Sequence, residues 1–305
     1  MTELGGEAML VAGGTDLYPN MKRRQFTPTR VIGLRGIAEL YGVRVAATGA
    51  LDIGAMTSLT ALERDAAVNS RWPALARAAR LISTPPLRNM GTLGGNLCLD
   101  TRCNYWNQNY EWRKSIDFCL KKDGSTCWVA PGSQRCWAVS SSDTAPLLCA
   151  IGAEVTLFST AGERRIPVEQ LFKDDGIDHL HKRRDEILTA LHLPPPVAWS
   201  ATYLKLRRRG SFDFPVLGVA VALRREGDGV IAEARIVLGG VGSHPHPATA
   251  AGDLLRGERL TPETIAAAAL AAARVAKPLD NTDFVLGWRK EMARVYVARA
   301  LGELA

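Results

Sequence analysis

All six cysteines of the chain, Cys98, Cys103, Cys119, Cys127, Cys136 and Cys149, fall within about one sixth of its 305 residues. In a reducing compartment such clustering favours metal over disulfides. The stretch from Cys98 to Val139 also holds four of the seven tryptophans, Trp106, Trp112, Trp128 and Trp137, with few aliphatic residues and no clean period. A segment without an aliphatic core needs a bound metal or an equivalent cross-link to fold, so it reads as an inserted excursion. Cys103, Cys119, Cys127 and Cys136 follow the spacing Cys-x15-Cys-x7-Cys-x8-Cys. Four thiolates can close around a 4Fe-4S cubane or a tetrahedral zinc. Zinc sites usually include one short Cys-x2–4-Cys knuckle, and none occurs here. The spacing leaves iron–sulfur, zinc and unligated thiols open. Tyr105, Trp106, Trp112, Phe118, Trp128 and Trp137 are available to shield a cluster from water. Cys98 and Cys149 stand outside the set, Cys149 in what reads as an apolar strand, and both are expected to be buried thiols.

The rest of the chain is patterned like an ordinary globular protein. At 47% hydrophobic and 23% charged it has enough apolar material for two compact domains. No apolar run is long enough to span a bilayer. Met1 to Leu10 carries two glutamates and no basic cluster, unlike an export leader, so a cytoplasmic location is expected. The net charge of +7 is modest, and the tracts Lys182-Arg183-Arg184 and Arg207-Arg208-Arg209 are short. No nucleic-acid-binding module accompanies them, so neither nucleic acid nor membrane is an expected partner.

Met9 to Val11, Val31 to Leu34 and Ala46 to Ala55 read as strands. Thr57 to Glu63 reads as a hydroxyl-capped helix start, and a second helix runs from about Trp72 to Leu81 up to a breaker at Pro85-Pro86. Arg88 to Asn96 is too rich in glycine for the interior of an element and reads as a loop. Alternation resumes at Ala153 to Phe158. Pro194-Pro195-Pro196 stiffens a connection and marks a domain boundary. Beyond it, Thr202 to Leu206, Val216 to Leu223 and Ala234 to Leu238 read as strands, while Pro262 to Val275 and Phe284 to Leu301 read as helices.

Two glycine loops, Gly13-Gly14-Thr15-Asp16 and Thr92-Leu93-Gly94-Gly95-Asn96, lie some eighty residues apart. Glycine pairs let backbone N–H groups approach an anion, because no Cβ intervenes and positive φ is allowed. Neither loop fits Gly-x-Gly-x-x-Gly, so a Rossmann nicotinamide site is not supported. Ala12-Gly13-Gly14-Thr15-Asp16-Leu17, then Gly91-Thr92-Leu93-Gly94-Gly95-Asn96, then Ser142-Asp143-Thr144-Ala145-Pro146-Leu147 form an ordered set. That set resembles the FAD-binding subunits of the xanthine dehydrogenase and carbon monoxide dehydrogenase family. Leu204-Lys205 to Val219-Ala220, Leu238 to Gly242 and Trp288-Arg289 to Leu301 are similar to that family's C-terminal domain. Members usually carry some twenty further residues ahead of the first glycine loop.

The resemblance implies an α+β chain. An FAD domain of the p-cresol methylhydroxylase type, made of two α/β subdomains, would cover residues 1–195, with 98–139 inserted. A smaller α+β domain with an antiparallel sheet and helices would cover 196–305. It implies noncovalent FAD held by Leu10, Val11, Ala12, Gly13, Gly14, Thr15, Asp16 and Leu17 on one side and by Thr92, Gly95 and Asn96 on the other. Asp143 would take a ribose or phosphate-proximal hydroxyl, Lys205 would lie near the flavin, and Ile82 and Ile187 would line the pocket. The insertion itself, placed directly after the second glycine loop, resembles that of the β subunits of 4-hydroxybenzoyl-coenzyme A reductases, where it binds a 4Fe-4S cluster. That resemblance implies Cys103, Cys119, Cys127 and Cys136 as cluster ligands and no catalytic residue in this chain. It further implies a ferredoxin-like electron donor, a small 2Fe-2S subunit and a large molybdenum-cofactor subunit, assembled as a heterohexamer of two heterotrimers. With six basic and four acidic residues, the insertion is a candidate docking face for an acidic ferredoxin. The alternative is the FAD subunit of an oxidative molybdenum hydroxylase with a structural zinc in the insertion.

Overall fold

β1 (Ala8–Val11), α1 (Leu17–Lys22) and β2 (Arg30–Gly33) form a small first layer in which the two strands pair in parallel. The computed structural model describes residues 7–305, so the first six residues of the Met1–Leu10 stretch considered above lie outside the described residues. β3 (Val43–Val45) and β4 (Leu51–Gly54) follow, and then five short helices: α2 (Leu59–Arg64), α3 (Ala66–Arg71), α4 (Pro73–Arg80), α5 (Pro85–Met90) and α6 (Leu93–Leu97). After the insertion, which contains α7 (Tyr110–Ser115), come α8 (Thr144–Ala150), β5 (Glu154–Ser159), β6 (Gly162–Pro167) and β7 (Ile187–Leu193). The five strands assemble as an antiparallel sheet in the order β3-β4-β7-β5-β6.

Side-chain caps explain where several helices begin. Ser58 accepts the Ala61 N–H at 3.1 Å to start α2, and Asp65 accepts the Val68 N–H at 2.9 Å to start α3. Four expectations need correction. Pro85-Pro86 opens α5 rather than breaking the chain, because a missing N–H costs nothing in a first helical turn. The glycine-rich Leu93–Leu97 is helical, with Thr92 accepting the Gly95 N–H at 3.1 Å. Gly94 has to be glycine there, since a Cβ would lie 2.7 Å from the Ala55 Cβ. Cys149 lies in helix α8, whose residues are all buried, so the apolar run carries no period to separate helix from strand. Residues 46–50 form a turn with Gly49 at φ +84°, and the strand is confined to Leu51–Gly54.

The second sheet runs β11-β10-β9-β8 and is antiparallel throughout, from β8 (Trp199–Leu206), β9 (Leu217–Arg225), β10 (Ile231–Gly239) and β11 (His246–Pro247). One face, with Tyr203, Ala220, Ala222 and Val237, joins the core of the first domain around Leu75 and Leu147. The other face, with Val219, Val221, Leu223 and Ile236, packs on α10 (Pro262–Val275) and α11 (Leu286–Gly302). α9 (Thr249–Asp253) lies between β11 and α10 in the chain. β9 is covered on both sides, which is why it reads as an unbroken apolar run. The three prolines connect β7 to β8, the last strand of one sheet and the first of the next. No helix among the described residues is long and apolar enough to cross a membrane.

The insertion leaves and rejoins this frame through a narrow neck, where Arg102 and Val139 exchange backbone hydrogen bonds of 2.8 Å. It then lies against the segment after α1. Gln25 donates to the Trp106 carbonyl at 2.6 Å, and the buried Arg113 guanidinium donates to the carbonyls of Arg23 and Arg24.

Candidate cofactor sites

The two glycine loops meet. A Cβ on Gly13 would lie 1.8 Å from the Met90 carbonyl oxygen, and one on Gly95 would come within 3.6 Å of the Ala12 Cβ. Gly14 adopts φ +74°, a region L side chains rarely enter. Their contact walls one end of a cavity of about 580 Å³, within the usual range for cofactor pockets. All fifteen residues singled out for the dinucleotide, from Leu10 to Leu17 and Ile82, Thr92, Gly95, Asn96, Asp143, Ile187 and Lys205, line this one cavity.

The two loops contribute differently. Among the described residues, the N–H groups of Gly13, Gly14, Thr15 and Asp16 find no acceptor, so the first loop presents a run of free donors. In the second loop Leu93, Gly94 and Gly95 donate to Thr57 O, Ala55 O and Thr92 Oγ1, so its backbone is largely spent on its own fold. Its donor is a side chain. Asn96 Oδ1 accepts from Ser142 Oγ, Thr144 N and Thr144 Oγ1 at 2.7–3.2 Å, which fixes the amide orientation and leaves the Nδ2 hydrogens over. Asp16 gives only its backbone, because its carboxylate is paired with Arg102 at the neck of the insertion. Burial lowers the Arg102 guanidinium to about 10, and Phe214 stacks 4.3 Å from it.

Asp143 and Lys205 are not a surface pair. The Lys205 ammonium donates to Asp143 Oδ2 at 2.9 Å and to Leu81 O at 3.2 Å, and Tyr203 donates its hydroxyl proton to Asp143 Oδ1 at 2.9 Å. Both charged side chains are nearly inaccessible. Burial pushes the Asp143 carboxyl up and the Lys205 ammonium down, while their mutual attraction opposes both shifts. The pair is a fixed dipole at the cavity wall, and its orientation is set by the protein rather than by solvent. Sequence reasoning missed Tyr203, although it sits two residues before Lys205 on β8 and therefore on the same face. It also missed His179, which lines the cavity with Nε2 buried and without a partner among the described residues. Burial pushes that imidazole below the usual histidine range. Free backbone donors, a spare amide, an orphaned imidazole nitrogen and an apolar wall of Ile82, Leu87 and Ile187 together suit a flavin dinucleotide.

The four insertion thiols also converge. Cys103, Cys119, Cys127 and Cys136 are 5–8% exposed and line one small void with Tyr105, Trp106, Trp128 and Trp137. Trp112 and Phe118 do not reach it; they pair with Tyr105 and Tyr110 instead. Burial pushes the Cys103 thiol up to about 12 and the Cys136 thiol up to about 11, so an incoming metal would have to displace their protons. Among the described residues, no three of these sulfurs lie within 4.8 Å of one another. The Lys121 ammonium, 5% exposed, also lines the void; it binds Asp100 Oδ1 at 2.7 Å and sits 5.3 Å from the Trp106 ring. Asp100 in turn lines the larger cavity, so one buried ion pair lies between the two sites. Of the insertion's six basic residues, Arg102, Arg113 and Lys121 turn inward. Cys98 lines the large cavity and Cys149 is buried, both apart from the void.

Comparison with known proteins agrees with this layout. Residues 1–196 match the family described as the FAD-binding domain in molybdopterin dehydrogenase, and residues 201–304 match the carbon monoxide dehydrogenase flavoprotein C-terminal domain. The chain is 31% identical to the aldehyde oxidoreductase FAD-binding subunit PaoB of Escherichia coli over 86% of this chain and 84% of that one. It is 28% identical to the carbon monoxide dehydrogenase medium chain of Hydrogenophaga pseudoflava over 98% and 90%. A solved structure of that organism's carbon monoxide dehydrogenase superposes with a TM-score of 0.79, covering 99% of this chain and 90% of the other. With both domains matched over nearly the whole chain, this chain belongs to the FAD-binding subunits of the molybdopterin dehydrogenase family.

Proposed function

We propose that the chain is the FAD and 4Fe-4S subunit of a molybdenum-containing 4-hydroxybenzoyl-coenzyme A reductase, relaying electrons from a ferredoxin-like donor toward 2Fe-2S and molybdenum sites on a small and a large partner subunit. The observation that carries this reading is the convergence of four buried thiols on a void separated from the dinucleotide cavity by one ion pair. When bound, a flavin exchanges electrons in pairs or singly and an iron–sulfur cluster exchanges them singly, which is the chemistry such a relay needs. The chain's own residues have four tasks. Gly13 to Asp16 and Asn96 hold phosphate and ribose groups. Lys205, backed by Asp143 and Tyr203, places a positive charge where negative charge develops on a reduced ring. Cys103, Cys119, Cys127 and Cys136 ligate iron, and Trp106 with Trp128 and Trp137 keeps water from it. Lys121 offsets the negative charge of four thiolates. Reductive loss of a phenolic hydroxyl would then occur on the large subunit, in a cytoplasmic heterohexamer of two heterotrimers.

The test is Cys119→Ser in chain isolated without oxygen. Iron and sulfide should be lost while FAD is retained; unchanged iron removes Cys119 from the ligand set. A second reading has one observation in its favour: the similar proteins named above are an aldehyde oxidoreductase subunit and a carbon monoxide dehydrogenase chain. An oxidative FAD subunit with zinc in the insertion would yield zinc without iron or sulfide in the same preparation.

A further inference from the structure

Away from both cavities, Asp174 of the first domain meets His244 of the β10–β11 connection and His246 of β11. Their ligand atoms all lie within 4.8 Å of one another, the one such group of three among the described residues. The two imidazole rings are 4.0 Å apart between centroids. His246 Nε2 and His244 Nδ1 are both shut off from solvent with no hydrogen-bond partner among the described residues. His244 Nδ1 stands 3.3 Å from Asp174 Oδ1 without hydrogen-bond geometry. Position 242 is shaped around this arrangement: a Cβ on Gly242 would lie 2.0 Å from His246 Nε2. Buried polar atoms are normally paired. Two unpaired imidazole nitrogens and a carboxylate oxygen facing one point are the donor set of a metal site with an open position.

We propose that Asp174, His244 and His246 bind one divalent transition-metal ion of zinc-like preference, clasping the second sheet to the first domain beside the insertion neck. Two nitrogens and one carboxylate favour zinc, cobalt or nickel over calcium and magnesium, which take oxygen. Ligand atoms bonded at about 2.0–2.2 Å to one tetrahedral ion stand roughly 3.3–3.6 Å apart, and these three already lie within 4.8 Å of one another. Asp174 is exposed, which leaves a route of approach. The clasp would act where the neck already meets the connection, at the 2.9 Å hydrogen bond from Ser140 N to Gly242 O. Arg135 engages the other Asp174 oxygen and orients the carboxylate. Arg135 and the exposed Lys277 are the neighbouring positive charges, and they weaken the site without filling it. The proposal does not depend on iron in the insertion.

The experiment is a Co²⁺ titration of the full FAD-loaded chain, with uptake measured by equilibrium dialysis and visible absorption, compared with the His244→Ala/His246→Ala double variant. The wild type should take up one equivalent more. The difference spectrum should show ligand-field bands without thiolate-to-cobalt charge transfer. Asp174→Asn should weaken binding about tenfold or more, and Lys277→Gln should tighten it about threefold by removing a like charge. Equal uptake by wild type and double variant, or a difference spectrum carrying thiolate charge transfer, overturns the proposal. Should the double variant fail to retain FAD, the decision passes to Asp174→Asn, where unchanged Co²⁺ affinity overturns it.

Discussion

The dinucleotide cavity and the cysteine void are neighbours built on opposite principles. The cavity is walled by ends of regular elements that two extended hydrophobic cores already hold in place. Its donors, the backbone of the first loop and the Asn96 amide, are fixed by loops in contact, and they would stand there whether or not a ligand was bound. The void sits in a segment whose buried cluster amounts to Cys103, Trp106, Cys119, Cys136 and Ala138. What holds that segment is a neck of two backbone hydrogen bonds, hydrogen bonds to its main chain from Gln25, Gly176 and Asn281, a few inward-turned cations and the thiols themselves. A preorganised site tolerates the loss of its ligand. A site whose ligands are also its core does not.

Four substitutions sharpen this contrast. Lys121→Met has the largest expected effect, because it strands the Asp100 carboxylate, 11% exposed, without its ammonium. Breaking such a buried pair costs about 3–5 kcal/mol. Rapid proteolysis within residues 98–139, with FAD still bound, is the expected readout; an insertion as resistant as wild type would show that this pair does not hold it. Gly13→Ala comes next and strikes the other site. Its Cβ would force the Met90 carbonyl away, and such overpacking costs about 1–3 kcal/mol. FAD content should fall while iron content holds, and normal flavin occupancy would mean that the loops need not touch.

Tyr203→Phe is milder. It leaves Asp143 Oδ1 without its donor inside the core, a loss of about 1–3 kcal/mol in denaturant unfolding, and it should also weaken FAD retention. The smallest effect concerns Glu186, one residue before Ile187 on the cavity wall. Hydrogen bonds and charge from Arg164, with help from Arg183, hold its carboxyl down at about 2. A depressed carboxylate stabilises the fold above its unfolded pKa and loses that contribution as pH falls through the folded value. Glu186→Gln should therefore be destabilised relative to wild type at neutral pH. The gap should close as pH drops from about 4.5 toward 2. A gap independent of pH would assign the effect to packing alone.

Much of this was readable from residue order, and the exceptions have physical causes. The glycine loops, Asp143 and Lys205 announced one cavity because their types and order are distinctive. The engagement of Asp16 with Arg102 was hidden, since nothing in either segment signals that the insertion folds back on the first loop. Proline at a helix start and glycine inside a helix depart from local rules, which describe average surroundings. Met90, Ala55 and Thr92 supply particular ones. Tyr203 was within reach through the period of a strand, yet the buried acid it serves lies sixty residues away. Asp174, His244 and His246 carried no signal at all, because seventy residues separate the carboxylate from the imidazoles and only the contact between domains unites them.

The central claim is that this chain holds a flavin in a cavity ready for it and iron in a segment that depends on it. Metal, sulfide and flavin analysis of the chain isolated without oxygen tests both halves at once. One FAD with about four irons and four sulfides per chain is the predicted result. A colourless preparation that takes up neither flavin nor iron on reconstitution would contradict it.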